Sequence, residues 1–289
     1  MVPASRVFSP LRPSAPGDFT DGPIISGCAT GNTLEEATLS GLYETLERDA
    51  FMIAWANRLP LKLLRLGHDS RDQVGQYLAA FDAAGIEVRC FSLSLDLGAN
   101  VVISIARSDR QDQPASVVAA AADVDIGAAC RRALKELSAN RLTVQYEMMK
   151  ANSLPDADFQ QVLDETAHGL LYARRDMIRL LDFWWDTNDS IDLPPAPPAK
   201  SVYKRLRDCV ENIRRAGLHV VAIDLTPPEF RSMGLWTVKT LVPGTYPMNF
   251  DERWRHLGGA RIRSAPVTAG LRSVPSEPTE LNHTPHPFP

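Results

Sequence analysis

Three runs between residues 86 and 123 limit the fold most. I-E-V-R-C-F-S-L-S-L (86–95) and N-V-V-I-S-I-A-R (100–107) are rich in β-branched and apolar residues, with a Gly-Ala turn between them, and S-V-V-A-A-A-A-D (116–123) follows as a third strand. A sheet of such strands needs a cover on its apolar surface. Segments of helical period supply one: 33–58, 73–84 stopped by Gly85, 128–142, and 203–216 stopped by Gly217. Two further strand candidates, 218–226 and 236–242, follow the last helix, and 143 to about 198 reads as a polar loop region holding the cluster F-W-W. The alternation predicts a mixed α/β fold with helices packed on a mixed sheet. It divides into an irregular segment 1–25, a body 26–270 and a proline-rich tail 271–289.

Charge and cysteine usage narrow the function. A net charge of −4 gives no basic footprint for nucleic acid. No secretory h-region and no run of about 18 apolar residues occurs, which predicts a cytoplasmic protein with no membrane span. Cys28, Cys90, Cys130 and Cys209 are far apart and form no C-x-x-C pair, so they read as core thiols in a reducing compartment. The six histidines, His68, His168, His219, His256, His283 and His286, show no metal spacing and read as solvated or structural.

The first helix raises the functional question. At about 100° per residue Asn32, Glu36, Glu44 and Glu47 fall in a sector of roughly 120°, apart from the stripe Leu39, Leu42, Leu46 and Ile53. Helix chemistry explains part of this: T-L-E-E is a capping box with Thr33 as N-cap, and Glu44 can pair with Arg48 one turn on. Carboxylates gathered on one face also repel unless a cation sits among them, and Mg²⁺ takes oxygen ligands it can share with a polyphosphate. On that reading Glu36, Glu44 and Glu47 are metal ligands and Arg48 touches phosphate; the pattern alone fits a solvated acidic face as well.

The block I-S-G-C-A-T-G-N-T-L-E-E-A-T-L-S-G-L-Y-E-T-L-E-R-D-A-F (25–51) resembles the signature helix of the YcaO family. E-T-A-H-G-L-L-Y (165–172) is similar to its D-H-x-x-L-Y segment, and D-L-T-P-P-E-F-R-S-M-G-L-W-T-V-K-T-L-V-P-G (224–244) to its late strand-loop-strand block. The final P-H-P-F-P resembles the P-x-P-x-P tail of the azoline-forming branch. Ala29, Asn140 and Thr245 depart from the family's usual hydroxyl, glutamine and leucine. A full domain of the family is also longer, with an N-terminal portion that contributes nucleotide contacts.

The resemblance implies ATP and Mg²⁺ as cofactors, with Asn32, Glu36, Glu44, Glu47 and Arg48 around them and Arg132 and Glu136 as a further pair. It implies a tail in which Pro285, Pro287 and Pro289 reach the active site. The expected reaction is ATP-dependent cyclodehydration of Cys, Ser or Thr in a ribosomally made precursor peptide, as in biosynthesis of thiazole/oxazole-modified microcins. The expected partners are that peptide, a leader-binding protein related to ubiquitin-activating enzymes, a flavin dehydrogenase in the same pathway, and a second copy of the chain. The alternatives are a non-catalytic half-site module that binds precursor or partner, and thioamide formation or ribosomal-protein modification.

Overall fold

The computed structural model describes residues 2–8, 26–67, 72–156, 158–255 and 258–289. Most of the segment 1–25 lies outside these; Ala4–Arg6 forms one 3-10 turn. The three expected strands become β3 (Glu87–Ser94), β4 (Asn100–Arg107) and β5 (Ser116–Asp123), an antiparallel meander in continuous register from Glu87↔Arg107 to Asn100↔Asp123. Gly98 has φ of 77° in the β3–β4 turn, a left-handed conformation that favours glycine. β2 (Lys62–Arg65) adds antiparallel to β3, and β6 (Ser190–Asp192) adds parallel to β2, giving the order β5-β4-β3-β2-β6.

A second sheet has the order β1-β8-β7, built from β1 (Cys28–Gly31), β7 (Val221–Asp224) and β8 (Trp236–Leu241), all antiparallel. Helix α1 (Leu34–Asn57) lies between the two sheets. It packs on β1 and β8 on one side and on β4 and β5 on the other. The alternation of β5 shows the layering: Val118, Ala120 and Ala122 face the core that holds α1, whereas Val117, Ala119 and Ala121 face α3 (Ile126–Lys150) and α2 (Gln73–Ala83). Every residue of β5 is buried, because both its faces are covered.

The amphipathic-surface reading of the first helix is therefore corrected. Besides the expected leucines, Tyr43, Ala50, Phe51, Ala54 and Trp55 are buried, so α1 is a central helix with little solvent along its second half. Its ends match the sequence signals. Thr33 caps the start, accepting from Glu36 N, and Arg58 closes the end in the left-handed region at φ 48°. The Glu36 side chain, however, reaches back to the backbone N–H of Asn32 rather than to that of Thr33.

The supposed loop region is largely structured. α3 runs on to Lys150, and α4 (Glu165–Tyr172), a 3-10 stretch Arg175–Leu181 and α5 (Asp182–Trp185) follow before β6. Trp184 is fully buried and donates from Nε1 to Leu59 O at 3.0 Å. After the proline run, α6 (Val202–Arg215) packs on α1, with the short α7 (Pro228–Ser232) before β8, and α8 (Arg261–Thr268) also lies against α1.

Gly41 is a point of close approach between α1 and the smaller sheet. A Cβ there would lie 2.7 Å from Gly27 O and 2.8 Å from Thr240 Oγ1. Gly27 cannot yield readily: it is held at φ 88°, and its carbonyl accepts from Thr240 N at 2.8 Å. Gly41→Ala should therefore destabilise the fold by about 1–3 kcal/mol despite alanine's better helix propensity. The check is the urea midpoint at unchanged m-value.

Candidate active site

Glu44, Glu47 and Arg48 project from the middle of α1, and Arg132 and Glu136 from one face of α3. Glu47 is 4% exposed, and its ionisation is opposed first by burial and then by the negative charges of Glu136 and Glu44, so its pKa stands well above the usual carboxylate range. Arg48 and Arg132 act in the other direction without overcoming burial. Glu136 is also raised, with burial first and Glu44 contributing. The structure thus brings Glu44, Glu47, Arg48, Arg132 and Glu136 into one electrostatic cluster.

Within it the polar contacts are incomplete. Arg48 Nε lies 3.4 Å from Glu47 Oε1, yet the alignment makes no hydrogen bond, and both atoms are buried without a hydrogen-bond partner among the described residues. Arg48 Nη2 is 3.9 Å from Glu44 Oε1, and its Nη1 contacts Met248 Sδ at 3.0 Å. Glu44 Oε2 accepts from Gly27 N at 3.2 Å. Arg132 Nη1 donates to Ala122 O at 3.1 Å, with Asp123 at 4.0 Å.

Asn32 and Glu36 stand apart, at the helix start. Glu36 Oε2 accepts from Asn32 N at 2.9 Å and Asn32 Nδ2 at 3.1 Å. Eight residues at a 1.5 Å rise put Glu36 about 12 Å along the axis from Glu44. A common side is not a common site: Glu36, Glu44 and Glu47 do not converge, and the described residues contain no group of three His, Cys, Asp or Glu side chains spaced to hold a metal ion by themselves. The carboxylates fall into two groups rather than one cage: Glu36 with Asn32, and Glu44 with Glu47 and Glu136.

Sequence reasoning missed Lys239, which is fully buried on β8 and donates to Ser26 O at 2.8 Å. Burial lowers its pKa, opposed by Cys28 and Glu44, which places the ammonium in the field of the carboxylate cluster. A lysine inside the strand-like run W-T-V-K-T-L-V was the available signal. Its register partner Cys28 is exposed, which corrects the core-thiol reading for that residue; Cys90, Cys130 and Cys209 are buried. A cavity of about 390 Å³ reaches Arg48 and is lined by Thr45 and the stretch 240–248. A larger groove of about 1010 Å³ shares Arg6 and the stretch 244–247 with it; neither is lined by a carboxylate of the cluster, and of the two only the smaller reaches Arg48.

The proline tail is docked. Pro285, His286, Pro287 and Phe288 are buried, and Pro289 lies against Gly169. His168 Nδ1 is 2.7 Å from His286 O and its Nε2 3.1 Å from Phe250 O, while the rings of His168 and His286 stack at 4.0 Å. His168 and His286 are structural as expected, His219 and His283 are exposed, and His68 and His256 lie outside the described residues.

Burial lowers the pKa of His168 to about 4, against support from the carbonyls of His286 and Phe250 and from Asp164, with Arg255 opposing; Glu252, 3.7 Å from Nε2, is itself paired with Arg255. His286 is pushed down by burial, His168 and Arg48. Neutral buried rings stabilise the fold above the unfolded value of 6.5 and lose that contribution as pH falls toward 4. Acidification through this window should cost about 3 kcal/mol at His168 alone, read as a falling urea midpoint that flattens in His168→Asn.

The family described as "YcaO cyclodehydratase, ATP- and Mg²⁺-binding" matches residues 1–246. The chain belongs to the YcaO family. Among YcaO-related structures, a heterocyclase in complex with substrate and cofactor is 26% identical with a TM-score of 0.76, covering 96% of this chain and 35% of that one. The heterocyclase TruD is 25% identical with a TM-score of 0.69, covering 96% and 36%. YcaO from Methanopyrus kandleri bound with AMPPCP and Mg²⁺, 21% identical with a TM-score of 0.62 over 84% and 59%, shares the fold. An uncharacterised protein of Methanothermobacter thermautotrophicus is 29% identical over 274 residues, 91% of this chain and 66% of that protein. The chain therefore spans about a third of the two heterocyclases and just under two thirds of the archaeal relative. Among the described residues no helix is long and apolar enough to cross a membrane.

Proposed function

We propose that this YcaO chain takes part in ATP-dependent cyclodehydration of Cys, Ser or Thr residues in a ribosomally made peptide, giving thiazoline or oxazoline rings. The observation that carries the reading is Glu47. It is a buried carboxylate with an unpartnered oxygen, repelled by Glu44 and Glu136 and only loosely approached by Arg48. An all-oxygen donor set of this charge fits a hard divalent cation shared with a polyphosphate.

Glu44 and Glu47, with Glu136 behind them, would share Mg²⁺ with the polyphosphate oxygens rather than cage it by themselves, Asn32 and Glu36 would offer a second position near the start of α1, and Arg48, Arg132 and Lys239 would meet the phosphate oxygens. In the reaction, the side-chain thiol or hydroxyl adds to the preceding amide carbon. ATP supplies the phosphoryl group that makes the former amide oxygen a leaving group, so the peptide loses the elements of water, ATP becomes ADP and the oxygen departs in phosphate. The chain's own contribution is positioning and charge neutralisation. The tail prolines 285, 287 and 289 would shape the wall nearest the peptide, with φ already fixed and little entropy lost on docking.

In this reading leader binding would fall to a partner related to ubiquitin-activating enzymes, and ring oxidation to a flavin dehydrogenase; a second copy of this chain is a further candidate partner. One rival is a half-site that binds precursor or partner without turnover, favoured by the lack, among the described residues, of three carboxylates spaced to hold a metal ion by themselves. Titration calorimetry with Mg-ATP separates the two: saturable binding that requires Mg²⁺ supports the enzyme, and its absence supports the module. Loss of one water per ring from a Cys-containing peptide, with phosphate release in the presence of the partner, then tests the reaction.

A further inference from the structure

The guanidinium carbon of Arg48 lies over the ring of Phe288, 3.9 Å from its centroid. Phe288 is 1% exposed and meets Phe51 edge to face at 5.2 Å. Apart from the Met248 sulfur, this ring is the principal close contact on Arg48, whose Nε makes no hydrogen bond and whose carboxylate neighbours stand at 3.4 and 3.9 Å. A guanidinium beside two carboxylates ordinarily closes into a hydrogen-bonded fork. The aromatic face competes with that collapse.

Phe288 is itself held by its chain. Pro285 and Pro287 have no N–H and cannot join a ladder, so the buried carbonyls of the segment need donors from elsewhere. Two side chains one helical turn apart on α4 stand against them: Tyr172 OH donates to Pro285 O at 2.6 Å, and His168 Nδ1 lies 2.7 Å from His286 O, donating to it in the tautomer that carries the proton at Nδ1. Trp55 Nε1 adds a bond to Thr284 O at 2.9 Å, and Asn282 N donates to Ala56 O at 2.7 Å.

We propose that Phe288 is a positioning residue for Arg48, keeping its guanidinium off Glu44 and Glu47 and turned toward the ligand, and that His168 and Tyr172 deliver Phe288 by binding the two carbonyls before it. The ligand side of this role rests on the nucleotide reading above; the packing side does not.

The test uses the full chain with Phe288→Leu, which keeps bulk and removes the π face, Phe288→Tyr, which keeps the face, and Tyr172→Phe, which removes one tail bond. The readouts are the Arg48 Nε–H resonance, displaced by the ring current of Phe288, hydrogen exchange at the Phe288 amide, and Mg-ATP affinity. Phe288→Leu should abolish the ring-current displacement and weaken Mg-ATP binding about tenfold, while Phe288→Tyr retains both. Tyr172→Phe should speed exchange at Phe288 and shift the Arg48 resonance in the same direction, and adding it to Phe288→Leu should cause no further loss of affinity. An Arg48 resonance unchanged in Phe288→Leu overturns the proposal. If the unmodified chain binds no Mg-ATP, the nucleotide reading fails, and the resonance and exchange measurements still decide the positioning. If Phe288→Leu does not fold, the response of Arg48 to Tyr172→Phe decides it.

Discussion

Replacing Glu47 by glutamine should make the ligand-free protein melt higher and remove the stabilisation that Mg-ATP gives. Burial and two like charges raise this carboxyl well above its ordinary value of 4.5. A carboxylate raised on folding favours the fold below its unfolded pKa and opposes it as pH rises through the folded value, so at pH 7 the charge is a burden. Glutamine keeps the shape and removes the charge, and Arg48 retains Glu44 as its neighbour. In the unmodified protein, Mg-ATP at a hundred times its Kd should add about 2.7 kcal/mol, or roughly 5 °C or more in melting temperature. In Glu47→Gln that increment should vanish. A variant that melts lower without ligand and still gains from Mg-ATP would show that Glu47 has a structural partner and no role in binding the ion.

The second large effect belongs to Arg261. Its Nε and Nη2 donate to Asp49 at 2.6–3.0 Å, and its Nη1 and Nη2 to Asp96 at 3.0 and 2.8 Å. Asp49 is 1% exposed, also accepts from Tyr246 N at 2.7 Å, and is raised by burial in spite of the arginine. The guanidinium in turn is raised by its two carboxylates. Burial outweighs the arginine at Asp49, so the bridge itself adds little net stability and its disruption is what costs. Arg261→Met should strand a buried charge and destabilise by about 3–5 kcal/mol at pH 7. The loss should shrink on acidification as Asp49 protonates, and Asp49→Asn in the same chain should restore most of it. Urea titrations of the four variants at pH 7 and pH 5 are the check; a loss below about 1 kcal/mol would mean that water reaches Asp49 once the arginine is gone.

Most of the meander and every helix of clear period were legible, because alternation and the glycine stops report local conformation. What failed was whatever depended on long-range packing. Residues 143–198 read as loop because their elements are short: α4 has eight residues and α5 four, so the buried stripe His168, Leu171 and Tyr172 of α4 lasts little more than one turn. β2 and β6 are too short to show a period. The helical wheel grouped Asn32, just before α1, with Glu36, Glu44 and Glu47 by angle but carried no distance along the axis, so it could not show that Asn32 and Glu36 stand about two turns from Glu44. Nor can a wheel show what meets the polar side: Glu136 and Arg132 of α3 come near Glu47, and Asp49, in the same E-R-D-A, belongs to Arg261 and Tyr246 N. Lys239 becomes visible only when β8 is set beside β1.

That pairing fixes an order of assembly. The β3–β4–β5 meander closes over short loops, whereas Cys28 must find Lys239 across most of the chain, a contact of high loop-closure entropy. The larger sheet should therefore gain hydrogen-exchange protection first during refolding, and the smaller sheet, with Gly27 and Lys239, last. A half-folded chain would already hold its bulk yet be unable to trap a nucleotide.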